Sequence, residues 1–210
     1  MSSQPPSGAT LSILASGTAQ ASQFAALLPL FRSVEQITVE GHGLLTLHGS
    51  RLNHYVDGAA ADWILLLEER ETVSPELARN IGTAVTPSPM AWGYRIRKVI
   101  TYEGRPLNVA PADVGDVRLF HRRHARFDVR SSSASLKMQG TVIRLAGNLI
   151  QPTFESRSAH EDFLRSHGKA RLVPARVGVF LLQLLKTGAL WKGSASRRYL
   201  WVESGWETTS

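Results

Sequence analysis

Residues 61–71, with the sequence ADWILLLEERE, place four consecutive large aliphatic side chains directly before a cluster of four charged ones. A short, continuous apolar run bounded by polar residues predicts a strand that is buried on both faces. Ligands of open α/β sheets bind just beyond the carboxyl ends of such strands, where acidic side chains commonly hold a metal or a phosphorylated ligand. Ser74 and Pro75, which suit the N-cap and first position of a helix, follow at once. The stretch therefore predicts a buried strand, an acidic tip and a capped helix from Pro75 to about Ile81.

The rest of the pattern extends this motif into an α/β domain with a mostly parallel or mixed central sheet. Residues 11–15 and 35–40 are predicted strands, and the helical spacing of Phe24, Leu27, Leu28 and Phe31 predicts an amphipathic helix over residues 21–34. This β-α-β opening is typical of a nucleotide-binding half. Further predicted elements are a short strand at 44–47, a helix at 51–60, and strands at 90–102 and 117–120.

The composition sets the organisation of the chain. It has 210 residues, a hydrophobic fraction of 43% and no cysteine, which predicts one domain, or one domain with an appendage, and excludes disulfides and thiolate metal sites. Residues 1–10 are rich in Ser, Pro and Gly and lack a basic n-region, so we expect a disordered lead and a cytoplasmic protein. The main domain is predicted over residues 11–173, with an extension over 174–210.

Charge is distributed unevenly along the chain. Residues 1–90 carry 4 basic and 8 acidic residues, net −4, whereas residues 91–210 carry 20 basic and 9 acidic, net +11. This asymmetry indicates a polyanionic partner, such as nucleic acid, an anionic membrane or a phosphorylated ligand; a solvated basic face is the alternative. The residues at 121–124, HRRH, are predicted to be a basic surface turn. A nucleic-acid-binding module would rest on the basic stretch and its interleaved aromatic residues, Arg118, Phe120, Arg122, Arg123, Arg126, Phe127 and Arg130.

The sequence DWILLLEERETVSPELARNI resembles the centre of a family 2 glycosyltransferase, close to the lipopolysaccharide-core glucosyltransferase type, in which the pattern is roughly DWVLxLDADExVSPEL. Three later segments, GYRIRKVITYEGRPL, VRLFHRRHARF and GTVIRLAGNLIQ, are similar to segments of that family and occur in its order. The resemblance covers most of residues 11–205. It implies a GT-A-like nucleotide-sugar transferase fold with an abbreviated N-terminal half, and sugar transfer from a nucleotide-sugar to a cell-surface glycan or lipid-linked acceptor.

The chain departs from the family at its functional positions. The second aspartate of the family's acidic motif, which helps bind a divalent cation, is replaced by Arg70, although Glu68 keeps a carboxylate. The family's aspartate for the base and ribose falls at Glu40 or Gly41. Its Asn-Glu pair falls at residues 19–20 and its candidate general base at residues 133–134, where the chain has Ala-Gln and Ser-Ala. The resemblance thus implies a nucleotide-sugar site at Glu40, Glu68, Arg70 and Glu71 and leaves the catalytic residue unassigned.

Three interpretations of the acidic tip follow. In the first, Glu68 and Glu71 hold a divalent cation such as Mn²⁺ or Mg²⁺, which the charge of Arg70 disfavours. In the second, Arg70 replaces the metal and grips the diphosphate bidentately, so no cofactor is needed. In the third, the tip is a solvated ion cluster and the chain is a non-catalytic scaffold or partner of an active transferase.

The predicted extension carries an apolar pattern at helical spacing, flanked by basic and aromatic residues, over residues 177–191. We expect an amphipathic helix that lies on the inner face of a membrane, peripherally, or that packs on the core. The residues predicted to contact the membrane interface are Phe180, Leu184, Trp191 and Lys192.

Overall fold

The computed structural model of the chain describes residues 9–17, 20–40, 43–107, 115–131, 134–154 and 156–170, together with 183, 199–200 and 206–208. The chain forms two compact units, one of Met1–Lys98 and Val114–Ile150 and one of Val99–Asp113 and Gln151–Ser210. Residues 1–8 of the predicted disordered lead, the boundary at residue 173 and the interfacial residues Phe180, Leu184, Trp191 and Lys192 lie outside the described residues, whereas Thr10, the last residue of that lead, belongs to the first strand.

The secondary structure alternates strands with few helices. The strands are β1 (Thr10–Ser16), β2 (Ser33–Val39), β3 (Trp63–Leu67), β4 (Thr72–Val73), β5 (Gly93–Tyr102), β6 (Arg105–Pro106), β7 (Asp116–His121), β8 (Ala125–Phe127), β9 (Leu136–Met138), β10 (Val142–Phe154), β11 (Gly168–Ala170) and β12 (Trp206–Thr208). The helices are α1 (Gly49–Gly58), α2 (Pro75–Ala84) and α3 (Arg157–His167).

The first unit is built on a mixed sheet, which confirms the predicted α/β class. Its strand order is β2-β1-β3-β7-β5-β10-β4. Both β2 and β3 run parallel to β1, whereas β7 is antiparallel to β3 and β5, and β4 is antiparallel to β10. The carboxyl ends of β1, β2 and β3 therefore meet at one edge of the sheet, which we call the carboxyl edge; their beginnings define the amino edge.

The apolar run predicted as a doubly buried strand is β3, and all five of its residues are buried. Trp63, Leu65 and Leu67 pack into one hydrophobic cluster with Leu77 and Ile81 of α2. Ile64 and Leu66 pack into a second cluster with side chains of α1 and of the β8–β9 hairpin. Alternating side chains of one strand thus reach two cores, which is why the sequence shows no polar position within it.

The predicted helix over residues 21–34 is wrong. Two short 3₁₀ helices, Ala21–Gln23 and Leu28–Leu30, occupy this region, and β2 begins at Ser33. Pro29 cannot donate a helical hydrogen bond and its ring clashes with the preceding turn, so a continuous α-helix is broken there. The apolar spacing nevertheless serves the core, because Phe24, Leu27 and Phe31 are buried in the first cluster. The strand predicted at 44–47 is likewise a 3₁₀ helix, Leu44–Thr46.

Helix α2 begins as predicted, with Ser74 as its N-cap and Pro75 in its first turn. The Ser74 hydroxyl accepts hydrogen bonds from two backbone N–H groups, those of Leu77 in α2 and Asn148 in β10, each at 3.2 Å. The cap therefore also fixes the start of the helix to a strand of the sheet.

We expect Ser74→Ala to lower the free energy of unfolding by about 2 kcal/mol, at the upper end for loss of an N-cap, because two donors lose their acceptor. Urea unfolding monitored by circular dichroism measures this loss. Ser33→Ala, at an exposed serine of β2, is the control and should change stability by less than about 0.5 kcal/mol. An equally small effect at Ser74 would contradict the double role of its hydroxyl.

The second unit contains α3, β6, the β11–β12 pair and the distal residues of β5 and β10. Its buried centre is aromatic. The ring of His160, fully buried, stacks between Phe154 and Tyr199 at centroid distances of 4.2 and 5.1 Å. Tyr102 contacts the same imidazole edge-on at 5.5 Å. The side chain of His160 is thus part of the packing of this unit.

Candidate functional site at the carboxyl edge

The carboxyl edge gathers three strand ends in the first unit. In the pairing register, Ser16 of β1 lies beside Val39 of β2, and Ala15 lies beside Leu67 of β3. The residues that follow these strands, among them Glu40 and Glu68, therefore emerge at the same edge. This is the location where open α/β sheets bind their ligands.

A hydrogen-bond network centred on Ser16 fixes Glu68. The Ser16 hydroxyl donates to Oε2 of Glu68 at 3.1 Å and accepts from the backbone N–H of Glu69 at 2.8 Å. The backbone N–H of Leu44 donates to the same Glu68 oxygen at 3.0 Å. Neutral donors thus orient a half-buried carboxylate. Ser16 was not predicted as a site residue, although a serine directly after the predicted strand over residues 11–15 was the available signal.

The residues after β3 form a tight turn. The backbone N–H of Glu71 donates to the carbonyl oxygen of Glu68 at 3.1 Å, and Glu69 and Arg70 at the centre of the turn are exposed. Arg70 adopts a left-handed conformation with φ of 64°, which costs a non-glycine residue about 1–2 kcal/mol. The turn directs one cationic side chain to the surface of the carboxyl edge.

Glu71, the fourth predicted site residue, points into the protein. It is fully buried and its carboxylate faces the buried guanidinium of Arg118, with Nη2–Oε1 and Nη1–Oε2 distances of 3.4 and 3.5 Å. Its Oε2 also accepts from the backbone N–H of Glu68 at 2.9 Å. Burial raises the pKa of the Glu71 carboxyl, against the opposing effect of Arg118. The Glu71 side chain therefore stabilises the turn from the protein interior and is not exposed to a ligand.

Glu40 lies at the end of β2 and is exposed. Its carboxylate forms an ion pair with Arg51 of α1 at 3.6 Å, and both side chains are open to solvent. An exposed pair of this kind contributes little to stability, so Glu40 remains accessible to a ligand at this edge.

The acidic tip does not fit a two-carboxylate cation site. Glu68 is held by neutral donors, whereas the Glu71 carboxylate is buried against Arg118. Within the described ranges, no group of three or more His, Cys, Asp or Glu side chains is arranged to hold a metal ion. Of the two carboxylates predicted to hold a cation, Glu71 is therefore not available to one.

Several arginines of the basic stretch lie beside acidic side chains. Arg118 is buried against Glu71, and three of the exposed or partly exposed arginines face aspartates: Arg122 and Arg123 face Asp62, and Arg126 faces Asp57. Four of the five arginines that suggested a nucleic-acid partner therefore lie within 4 Å of an acidic side chain of the first unit.

No protein-family model matches the chain, and a search of curated proteins found no similar sequence. Among the residues that the structure describes, no helix has the length and apolar character needed to cross a bilayer.

Proposed function

We propose that this chain is a glycosyltransferase of the GT-A type that binds the diphosphate of a nucleotide-sugar at the carboxyl edge through Arg70, without a divalent cation. The acceptor would be a cell-surface glycan or a lipid-linked saccharide. The observation that carries the proposal is the meeting of three parallel strand ends with an oriented Glu68 carboxylate and an exposed Arg70.

The chemistry of the two side chains supports this assignment. A guanidinium donates two parallel hydrogen bonds to phosphate oxygens and keeps its charge at every physiological pH. A carboxylate held by neutral donors accepts hydrogen bonds from ribose or sugar hydroxyls. In the transfer itself, the acceptor hydroxyl attacks the anomeric carbon, the bond to the diphosphate breaks, and the hydroxyl proton passes to a base that remains unassigned. Arg70 would stabilise the negative charge that develops on the departing diphosphate.

The two other predicted residues take different roles. Glu40, which follows β2 on the other side of β1, would contact the nucleotide from there. Glu71 acts as a positioning residue, because it is bound to Arg118 and holds the backbone N–H of Glu68. The proposed ligand contacts are thus Glu40, Glu68 and Arg70, with Glu71 beneath them.

A thermal-unfolding screen with UDP-, GDP- and CMP-sugars, with and without Mn²⁺, tests the proposal. A ligand at 100 times its dissociation constant stabilises the folded state by about 2.7 kcal/mol. We expect stabilisation by a UDP- or GDP-sugar that does not require Mn²⁺, and less by CMP-sugars, which carry a single phosphate.

The variant Arg70→Gly separates loss of nucleotide-sugar binding from loss of stability. Glycine tolerates φ of 64°, so the variant should be about 1 kcal/mol more stable than the parent chain while it loses the stabilisation by nucleotide-sugar. Loss of binding then cannot be attributed to unfolding. Arg79→Ala, at an exposed arginine of α2, is the control and should bind normally. Absence of stabilisation by every nucleotide-sugar would reject the proposal in favour of the non-catalytic scaffold.

A further inference from the structure

A cavity of about 540 Å³ lies at the amino edge of the same sheet, at the opposite end of β1 and β3 from Glu68. Thr10 and Trp63, at the beginnings of β1 and β3, line it together with His121, at the end of β7, and Trp92, which precedes β5. Its volume falls in the range of small-molecule sites, about 300–1,000 Å³. The cavity is formed entirely by residues of the first unit.

Aromatic and imidazole rings form one wall of the cavity. The ring of His121 contacts Trp63 and Trp92 edge-on, with centroid distances of 5.4 and 5.2 Å. His124 stacks on Trp92 at 4.0 Å with an interplanar angle of 17°. Because each of these rings packs against another, we expect a ligand to lose less free energy to ordering the site.

The negative charge of Asp62 at the cavity is opposed by two arginines, of which Arg123 lines the cavity. The Asp62 carboxylate accepts a hydrogen bond from Nε of Arg122 at 2.9 Å and lies 3.9 Å from Nε of Arg123. One carboxylate thus faces two guanidinium groups. The side chain of Arg123 lines the cavity and is 72% exposed, so most of its five donors face solvent or the cavity.

His121 adds a neutral donor to this wall. Burial lowers the pKa of His121, and the positive charges of His124, Arg123 and Arg122 act in the same direction, against Asp62. Nδ1 accepts from the backbone N–H of Arg123 at 3.4 Å. The neutral ring therefore carries its proton on Nε2.

We propose that this amino-edge cavity binds a small organic anion in which a carboxylate or a phosphate is attached to an aromatic or apolar group. Arg123 and the imidazole N–H groups of His121 and His124 donate hydrogen bonds to the anionic oxygens. The apolar part of the ligand packs on the side of the cavity formed by Trp63 and Trp92. Arg122 and Arg123 offset the charge of Asp62, so the carboxylate does not exclude an anion. The inference is independent of the function proposed for the carboxyl edge.

Titration of the full-length protein with phenyl phosphate and with phenylacetate, followed by tryptophan fluorescence at low ionic strength and pH 7, tests the inference. Trp63 and Trp92, two of the five tryptophans in the chain, line the cavity and contribute the part of the signal that a bound anion would change. We expect saturable binding of at least one of the two anions, with a dissociation constant below about 1 mM, and no saturation with benzyl alcohol, which has a similar size but no charge. The preferred anion identifies whether the natural ligand is a phosphate or a carboxylate.

Two matched variants locate the binding. Arg123→Gln should weaken anion binding about tenfold or more, as expected for loss of a charge-assisted hydrogen bond. Arg126→Gln is the control, because Arg126 is also exposed and also pairs with an aspartate but does not line the cavity. Both variants should have the unfolding temperature of the parent. Absence of saturation with both anions, saturation with benzyl alcohol, or equal weakening in the two variants would overturn the inference.

Discussion

Replacing Arg118 with methionine is expected to lower the free energy of unfolding by about 3–5 kcal/mol at pH 7, because the change leaves the Glu71 carboxylate buried without its counter-charge. Both side chains are almost completely enclosed, with exposures of 2% for Arg118 and 0% for Glu71. Methionine fills the space of the aliphatic stem of Arg118 but not that of its guanidinium, so the pH dependence of the loss is needed to separate the charge effect from that of a cavity. Urea unfolding measures the difference.

The pH dependence of this loss identifies its electrostatic origin. Burial already raises the pKa of Glu71 above its usual value of 4.5, and Arg118 lowers it, so removal of Arg118 raises the pKa further. A carboxyl with a raised pKa in the folded state contributes stability below its unfolded pKa, and this contribution is lost as the pH rises through the folded pKa. The destabilisation by Arg118→Met should therefore shrink as the pH falls from 7 towards 4.5. A loss that is constant over this range would contradict the proposed charge effect.

A double variant provides the control. Glutamine at position 71 is neutral, and its side-chain oxygen can still accept from the backbone N–H of Glu68. We expect Glu71→Gln combined with Arg118→Met to recover most of the stability lost in Arg118→Met alone, since replacement of both members of a buried pair is far less harmful than removal of one. Its stability should also lack the pH dependence of the single variant.

Local signals in the sequence correctly predicted the elements that carry the carboxyl edge. The apolar run became β3, and Ser74 and Pro75 began α2 as predicted. A run of apolar residues indicates a buried strand, and a helix cap is set by residues within one turn of the helix start. A single stretch of sequence therefore contains the information that predicts both elements. Between β1 and β2 the helical period was misleading, because the same spacing of apolar residues was satisfied by two short 3₁₀ helices, the second of which contains Pro29.

The roles of the charged residues depended on partners distant in sequence. Glu68, Glu69 and Glu71 are chemically alike and nearly adjacent, and only the turn with Arg70 in a left-handed conformation sends Glu71 inward. Its partner Arg118 is 47 residues away and belongs to a stretch that the sequence indicated to be a basic surface. The pairing of β3 with β7 brings the two together, and no local pattern contains that register.

The amino-edge cavity was missed for the same reason. The residues 121–124 were predicted to be a basic surface turn, and a short 3₁₀ helix, Arg122–His124, does follow β7. The register that places Trp63 opposite His121 joins this turn to the start of β3. The position of Trp92 just before β5 completes the aromatic wall. These contacts depend on three separate segments and become visible only when the strands are paired.

Replacing Gly147 with alanine should lower the free energy of unfolding by about 3 kcal/mol or more. Gly147 lies in β10 with φ of 92°, and an added Cβ would lie 2.5 Å from both the backbone N and the Cα of Leu77. The backbone conformation alone costs a residue with a side chain about 1–2 kcal/mol, and insertion of a methyl group into a packed contact costs about 1–3 kcal/mol.

The steric part of this loss can be separated from the backbone part. Gly104 has a φ of 70°, and no described atom lies within 4 Å of a Cβ added there, so Gly104→Ala should cost only about 1–2 kcal/mol. We expect the larger loss at Gly147 because neither β10 nor the start of α2 can move aside. The Ser74 hydroxyl accepts hydrogen bonds from the N–H groups of both Leu77 in α2 and Asn148 in β10. Equal losses in the two variants by urea unfolding would mean that α2 can shift on the sheet. A larger loss at Gly147 than at Gly104 would instead mean that α2 is fixed in place on the sheet. The turn at Glu68–Glu71 lies between β3 and α2 in the chain, so it would then be held by a fixed element at each end.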